Sequence, residues 1–256
     1  NSKFSDAAGN ANNDESDADN TITLTVDTLH PTIAISSDTT TLITGQSAAI
    51  SFSLSESSSD FVASDLSISG GSVSNFSGSG STYSATFTPT ANSTSNGVIS
   101  VANSKFSDAI GNTNADGADA NNSVELSIDT LRPTIAISSD VASLGAGETA
   151  TLTFTLSESS NNFVESDVVV SGGSLSNWNP VSGTSYTATF TPTPGGTENG
   201  DISIASSKFS DSAGNTNENE YSFSLSIDSG HPTIAISSDT TSLKASETAT
   251  LTFTLS

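Results

Sequence analysis

The chain repeats itself. The segment PTIAISSD begins at Pro31, Pro133 and Pro232, preceded by His30, Arg132 and His231, so the period is 102 and then 99 residues. SKFSD starts at Ser2, Ser104 and Ser207; TLTFTLS starts at Thr151 and Thr250, and ISFSLS at Ile50 fills the same slot. A period of about 100 residues is long enough for each unit to bury its own core and fold as a domain. The shortening of the second unit falls mostly where GNTNADGADANNSVEL, from Gly111, becomes GNTNENEYSFSL, from Gly214. Length changes are tolerated in surface loops, so this stretch reads as one.

Within a unit, apolar residues alternate with Ser and Thr, the period of a strand with one buried face. Strand A carries Ile33 and Ile35; B carries Ile50, Phe52 and Leu54; C carries Leu66 and Ile68 before a Gly70-Gly71 turn. Strand D includes Val73 and Phe76, E has Tyr83, Ala85 and Phe87, F has Ile99 and Val101, and G has Val124, Leu126 and Ile128. No segment has convincing helical periodicity. The expected fold is all-β: tandem immunoglobulin-like seven-strand β-sandwich domains in a linear array. Residues 30–130 and 131–229 form complete domains. Residues 1–29 supply strands F and G of a truncated one, and 230–256 supply strands A and B of another. The natural chain is expected to continue both ways, or neighbouring chains complete the open ends by strand donation. Trp178 aligns with Phe76 and so reads as a packing residue of strand D.

Charge narrows the partners. Acidic residues number 28 against 5 Lys and Arg, a net charge of −23. Such a surface repels nucleic acid and anionic membranes, so neither is an expected partner, and its self-repulsion favours a bound cation. Cysteine is absent, so no disulfide can staple the fold. No apolar run reaches the roughly 18 residues that span a bilayer.

Strand parity says where a cation would sit. Successive strands reverse direction, so the B–C loop, the F–G loop and the incoming linker share one pole. At the first junction they bring Asp27 from the linker, Glu56 and Asp65 from B–C, and Asp108 and Asn112 from F–G. At the second they bring Asp129, Glu158, Asp167, Asp211 and Asn215. Asp60, Asp116 and Asp119 lie in the same loops, but Asn162 replaces Asp60 in the next repeat. Calcium takes six to eight oxygen ligands in flexible geometry and fits this set. Zinc favours Cys and His, and magnesium demands a stricter octahedron. The plain alternative is a solvated acidic face, with Asp, Gly and Asn serving only as turn residues. NDESDADN (13–20) is a further candidate metal loop, although it lacks the EF-hand placement of Gly and Glu.

The phrases TYSATFTPT (82–90), FSDAIGN (106–112) and SIDTLRPT (127–134), within a pattern spanning nearly the whole chain, resemble the bacterial Ig-like repeats of giant repetitive adhesins. The resemblance implies export by type I secretion, an extracellular place on the bacterial cell surface, and a stalk of tandem repeats with calcium stiffening its junctions. Calcium-binding G-G-x-G-x-D nonapeptides accompany such proteins near the C-terminus, and none occurs here.

Catalysis is not expected. There is no G-x-S-x-G elbow, the two histidines sit at linkers, and any acidic pair recurs in every repeat. The leading expectation is a structural extender of a cell-surface adhesin, supporting adhesion or biofilm formation. Its partners are neighbouring repeats of the same chain and other copies of the protein. The alternatives are a subunit of an extracellular filament or matrix fibre, and a glycan-binding module, for which Trp178, Tyr83, Tyr186 and Tyr221 are the candidate aromatics. Lys3, Lys105 and Lys208 share one slot and are expected to pair with nearby carboxylates. The pre-proline His30, Arg132 and His231 slot stiffens the linker; the arginine there argues against pH sensing.

Overall fold

A computed structural model describes residues 3–12 and 21–256. The candidate metal loop at 13–20 lies outside the described residues.

The first complete repeat is built from β1 (Ile33–Ser37), β2 (Thr41–Ile43), β3 (Ala48–Ser58), β4 (Leu66–Ser69), β5 (Gly71–Pro89), β6 (Gly97–Val101) and β7 (Ser123–Asp129). β1, β3 and β5 form one sheet, and β2, β7, β6 and β4 the other. β5 doubles back on itself: Gly71 lies against Thr88 and Phe87, and Gly78 against Thr82 and Tyr83. It therefore supplies both strand D and strand E.

The second repeat has the same plan. Its strands are β8 (Ile135–Ser139), β9 (Ser143–Leu144), β10 (Ala150–Leu156), β11 (Val168–Val170), β12 (Gly173–Ser182), β13 (Ser185–Pro192), β14 (Gly200–Ile204) and β15 (Tyr221–Ile227). The sheets are β12-β13-β10-β8 and β11-β14-β15-β9. A third unit contributes the antiparallel pair β16 (Ile234–Ser238) and β17 (Leu251–Leu255).

Strand A differs from its simple reading. The chain leaves β1 and crosses to the opposite sheet, where β2 pairs in parallel with β7, Leu42 opposite Ile128. Alternation predicts burial of Leu42 only once this short strand is recognised. Ile68 also departs from its expected core position: β4 is the edge of its sheet, and Ile68 remains 37% exposed.

Each core lies between its two sheets. Ile33, Ile50, Phe52, Phe87, Ile99 and Leu126 are fully buried in the first repeat, and Leu152, Phe154, Phe190, Ile202 and Leu225 in the second. Full burial of each such side chain contributes about 1.5–3 kcal/mol. Phe61 and Phe163, which lie in loops outside any alternation, are the centres of aromatic clusters. Phe163 has ring centroids of Phe154, Trp178, Tyr186 and Phe209 at 6.0, 5.3, 5.1 and 5.3 Å. Trp178 is thus a strand D packing residue, half-buried on β12.

Candidate metal centre at the repeat junctions

The F–G loop begins as a miniature hairpin in every copy. Bridges join Ser5 to Ala11, Ser107 to Thr113, and Ser210 to Thr216. Asp and Asn at its tip hold each other. Asp108 Oδ1 accepts the backbone N–H groups of Ile110, Gly111 and Asn112 at 2.8, 2.7 and 2.9 Å, and Oδ2 accepts Asn112 Nδ2 at 2.8 Å. Asp211 repeats this with Gly214 and Asn215, and Asp6 with Ala8 and Asn10. Burial alone would raise the Asp108 carboxyl. The donors from Asn112, Gly111 and Ile110 outweigh it and hold the group below the usual carboxylate range. The hairpin therefore presents a fixed negative charge.

Two further acids converge on that charge at each junction. Ligand oxygens of Asp27, Glu56 and Asp108 lie within 4.8 Å of one another, and so do those of Asp129, Glu158 and Asp211. Each trio draws on three separate segments: the incoming segment, the end of strand B and the F–G hairpin. Asp129 closes β7, whereas Asp27 lies where the expected strand G of residues 1–29 is not formed among the described residues. Glu158 Oε1 is enclosed and, among the described residues, is the one such side-chain atom without a hydrogen-bond partner. Burial, and then the charges of Asp211 and Asp129, push the Glu158 carboxyl above its ordinary range. No lysine or arginine belongs to either trio. An oxygen-only set with an orphaned enclosed oxygen has the donor chemistry of a hard divalent cation.

The remaining expected ligands occupy different places. Asn112 and Asn215 turn their Nδ2 groups inward, each donating to its Asp partner and to the linker carbonyl of Asp27 or Asp129, at 3.3 and 3.1 Å. Asn215 Oδ1 accepts the Thr44 N–H at 2.8 Å. These asparagines therefore brace the trios. Asp65 and Asp167 lie outside them, because Oδ2 of each accepts the backbone N–H three residues earlier, at Val62 and Val164, closing a 3-10 turn. Asp60 ties the B–C loop to Ser107 through both its oxygens. Asp116 is buried and accepts the Ile33 N–H at 2.6 Å.

The linker is tied at both ends. Thr130 is buried and bonds Thr90 and Ser93 of the repeat before it. Arg132 donates to the Thr216 carbonyl at 2.9 Å, and His30 Nδ1 lies 2.7 Å from the Thr113 carbonyl. A carbonyl only accepts, so the slot calls for an N–H donor, which Arg and His share. At the lysine slot the backbone N–H groups of Lys3, Lys105 and Lys208 bond Oδ1 of Asn12, Asn114 and Asn217, a contact independent of the lysine side chain.

Among solved structures, the chain is similar to the Escherichia coli adhesin FdeC, at 16% identity and TM-score 0.34, over 92% of this chain and 76% of that one. It is also similar to invasin, a bacterial integrin-binding protein, at 15% identity and TM-score 0.37, over 87% of this chain and 47% of that one. The Yersinia pseudotuberculosis adhesin InvE follows at 13% identity and TM-score 0.27, over 77% of this chain and 58% of that one. No curated protein sequence matches significantly. The sequence model described as bacterial Ig-like domain matches twice in tandem, over residues 27–128 and 129–227, and the chain belongs to that family.

Proposed function

We propose that these repeats are extender units in the stalk of a bacterial cell-surface adhesin, exported to the cell exterior, and that calcium sets the geometry of their junctions. The observation that carries this reading is the recurrence of one three-carboxylate trio at two successive junctions, each drawing on two repeats. The orphaned Glu158 Oε1 supports it, because an enclosed carboxylate oxygen without a donor is costly unless a cation faces it. Calcium's part is positive charge: it would offset three converging carboxylates and join the incoming linker to two loops of the next repeat. Asp129 closes the preceding repeat's last strand and Asp27 holds the matching place in the first linker, so a cation held by each trio restrains bending between repeats. Near-identical units with fixed junctions suit a spacer that projects a distal adhesive region, in adhesion or in a biofilm.

The test is thermal unfolding of the full chain in millimolar calcium and in excess chelator, with a sodium control at equal ionic strength. Calorimetric titration supplies the stoichiometry. A saturable rise in melting temperature and two bound calcium ions per chain are expected. At calcium 100-fold above its dissociation constant, the gain is about 2.7 kcal/mol per site. Coincident curves, or a rise matched by sodium, would refute calcium-set junctions.

A further inference from the structure

Two contacts cross the junction between the complete repeats without using the acidic trio. The Thr44 N–H donates to Asn215 Oδ1 at 2.8 Å. A side-chain carbon placed on Gly214 would lie 3.8 Å from Ile43 Cδ1, so the hairpin tip rests against Ile43. The receiving element is a tight turn at the far pole of the first repeat. Gln46 N–H bonds the Ile43 carbonyl at 3.1 Å, and Gly45 has φ of +81°, the signature of a type II turn with Thr44 at its second position. In such a turn the N–H of the second residue takes no part in the turn's own hydrogen bond and is free for a partner. Thr44 Oγ1 also bonds the Thr130 carbonyl at 2.9 Å, fastening the turn to the linker.

We infer that the Ile43–Gln46 turn and the Asp211–Asn215 hairpin form a cation-independent latch between successive repeats, with Asn215 as its positioning residue. Asn215 makes three connections at once: to the turn through Oδ1, and to the Asp129 carbonyl and the Asp211 carboxylate through Nδ2. It therefore aligns two trio members, Asp129 on the linker and Asp211 on the hairpin, before a cation arrives. The same turn recurs at 145–148, where Glu148 N–H bonds the Gly145 carbonyl and Gly147 has φ of +79°. There it borders an open cavity of about 210 Å³ lined by Ala146, Gly147, Glu148, Pro192, Pro194 and His231. That pole has the backbone of the same receptor, and its occupant is the F–G hairpin of another repeat of this kind.

The latch stands on its own contacts, while its effect on cation affinity rests on the calcium reading above. Thr44→Pro removes the N–H and keeps the turn, because proline is favoured at this position and the preceding Ile43 is already extended in β2. Thr44→Ala keeps the N–H and removes the hydroxyl and the γ-methyl group, so it controls for the side chain lost in Thr44→Pro. The chain has no cysteine, so spin labels at Ser84→Cys and Ser222→Cys report the distance between repeats in the full chain. In chelator, the parent and Thr44→Ala chains are expected to give a narrow distance distribution and Thr44→Pro a broad one, with the first repeat's melting unchanged. In calcium, Thr44→Pro is expected to narrow only at about five-fold higher calcium, the worth of one net hydrogen bond. Equal widths for Thr44→Pro and the parent in chelator, whether narrow or broad, would overturn the latch. If calcium alters no variant, the calcium reading fails, and the chelator comparison still decides the latch.

Discussion

Replacing Glu158 with glutamine should change stability in opposite directions with and without calcium. Its side-chain oxygen shares a 4.8 Å cluster with Asp129 and Asp211. At that separation two like charges repel by about 1 kcal/mol in water and by about 3.5 kcal/mol at an effective dielectric near 20. The junction is only partly enclosed, so a total relief of about 1–2 kcal/mol is expected from Glu158→Gln in chelator. For a domain of this size that raises the melting temperature by roughly 5–10 °C. The carboxyl's folded pKa is raised, so its cost is absent below the unfolded value and complete above the folded one. The parent chain in chelator should therefore gain stability as the pH falls into the carboxylate range, and the glutamine variant should lack that gain. In saturating calcium the order reverses, because a charged ligand is lost: a site weakened about a hundred-fold gives up about 2.8 kcal/mol, more than the repulsion relieved. Trp178 is the only tryptophan and packs within 5.3 Å of Phe154 and Phe163 in the repeat that holds Glu158, so its emission reads the correct unfolding event. Destabilisation by Glu158→Gln in chelator would show that the trio is not electrostatically strained. An equal gain in both conditions would show that no cation sits there.

Other outcomes follow from packing and local hydrogen bonds. A methyl group added by Gly200→Ala would meet Phe190 Cζ at 2.6 Å and Ile227 Cδ1 at 3.1 Å. The expected loss is about 1–3 kcal/mol, partly restored by Phe190→Leu in the same chain, and a single variant that melts like the parent would disprove the clash. At Asp60, burial alone would raise the carboxyl, but bonds from Ser107 and Ser58 prevail and hold it low. A lowered folded pKa adds stability at neutral pH that disappears as the pH falls through the folded value. Asp60→Asn should thus cost under about 1 kcal/mol at pH 7 and nothing at pH values well below 4, checked by calorimetry of the first repeat across that range.

Much of the fold was legible because β-strand burial is a one-dimensional code. Ile50, Phe52 and Leu54 alternate with serines in the chain and point alternately inward in β3. The trios were legible for a topological reason: strand reversal alone places the ends of strands G, B and F near one pole. What remained hidden depends on individual partners. Residue type does not reveal that Asp65 closes a 3-10 turn while Glu56 faces a neighbouring repeat. Both are acids in the same loop region, and only the backbone path between them decides. Phe61 lies outside any periodic run, so alternation had no means of placing it in the core. The Thr44 contact was equally invisible, because its donor is a backbone N–H, which every non-proline residue carries.

The parallel pairing of β2 with β7 has a consequence for a stalk under tension. A pull on the two ends of a repeat draws β7 toward the following unit while β2 is held, through β1, toward the preceding one. The two strands then slide past each other along their length, and the bonds linking Thr41–Ile43 with Ser127–Asp129 carry the load together in shear. Bonds loaded in shear fail as a group, whereas an antiparallel pair peeled from one end fails one bond at a time. The short crossover of strand A, which alternation did not anticipate, is thus the clamp that sets how much force each repeat withstands before it opens.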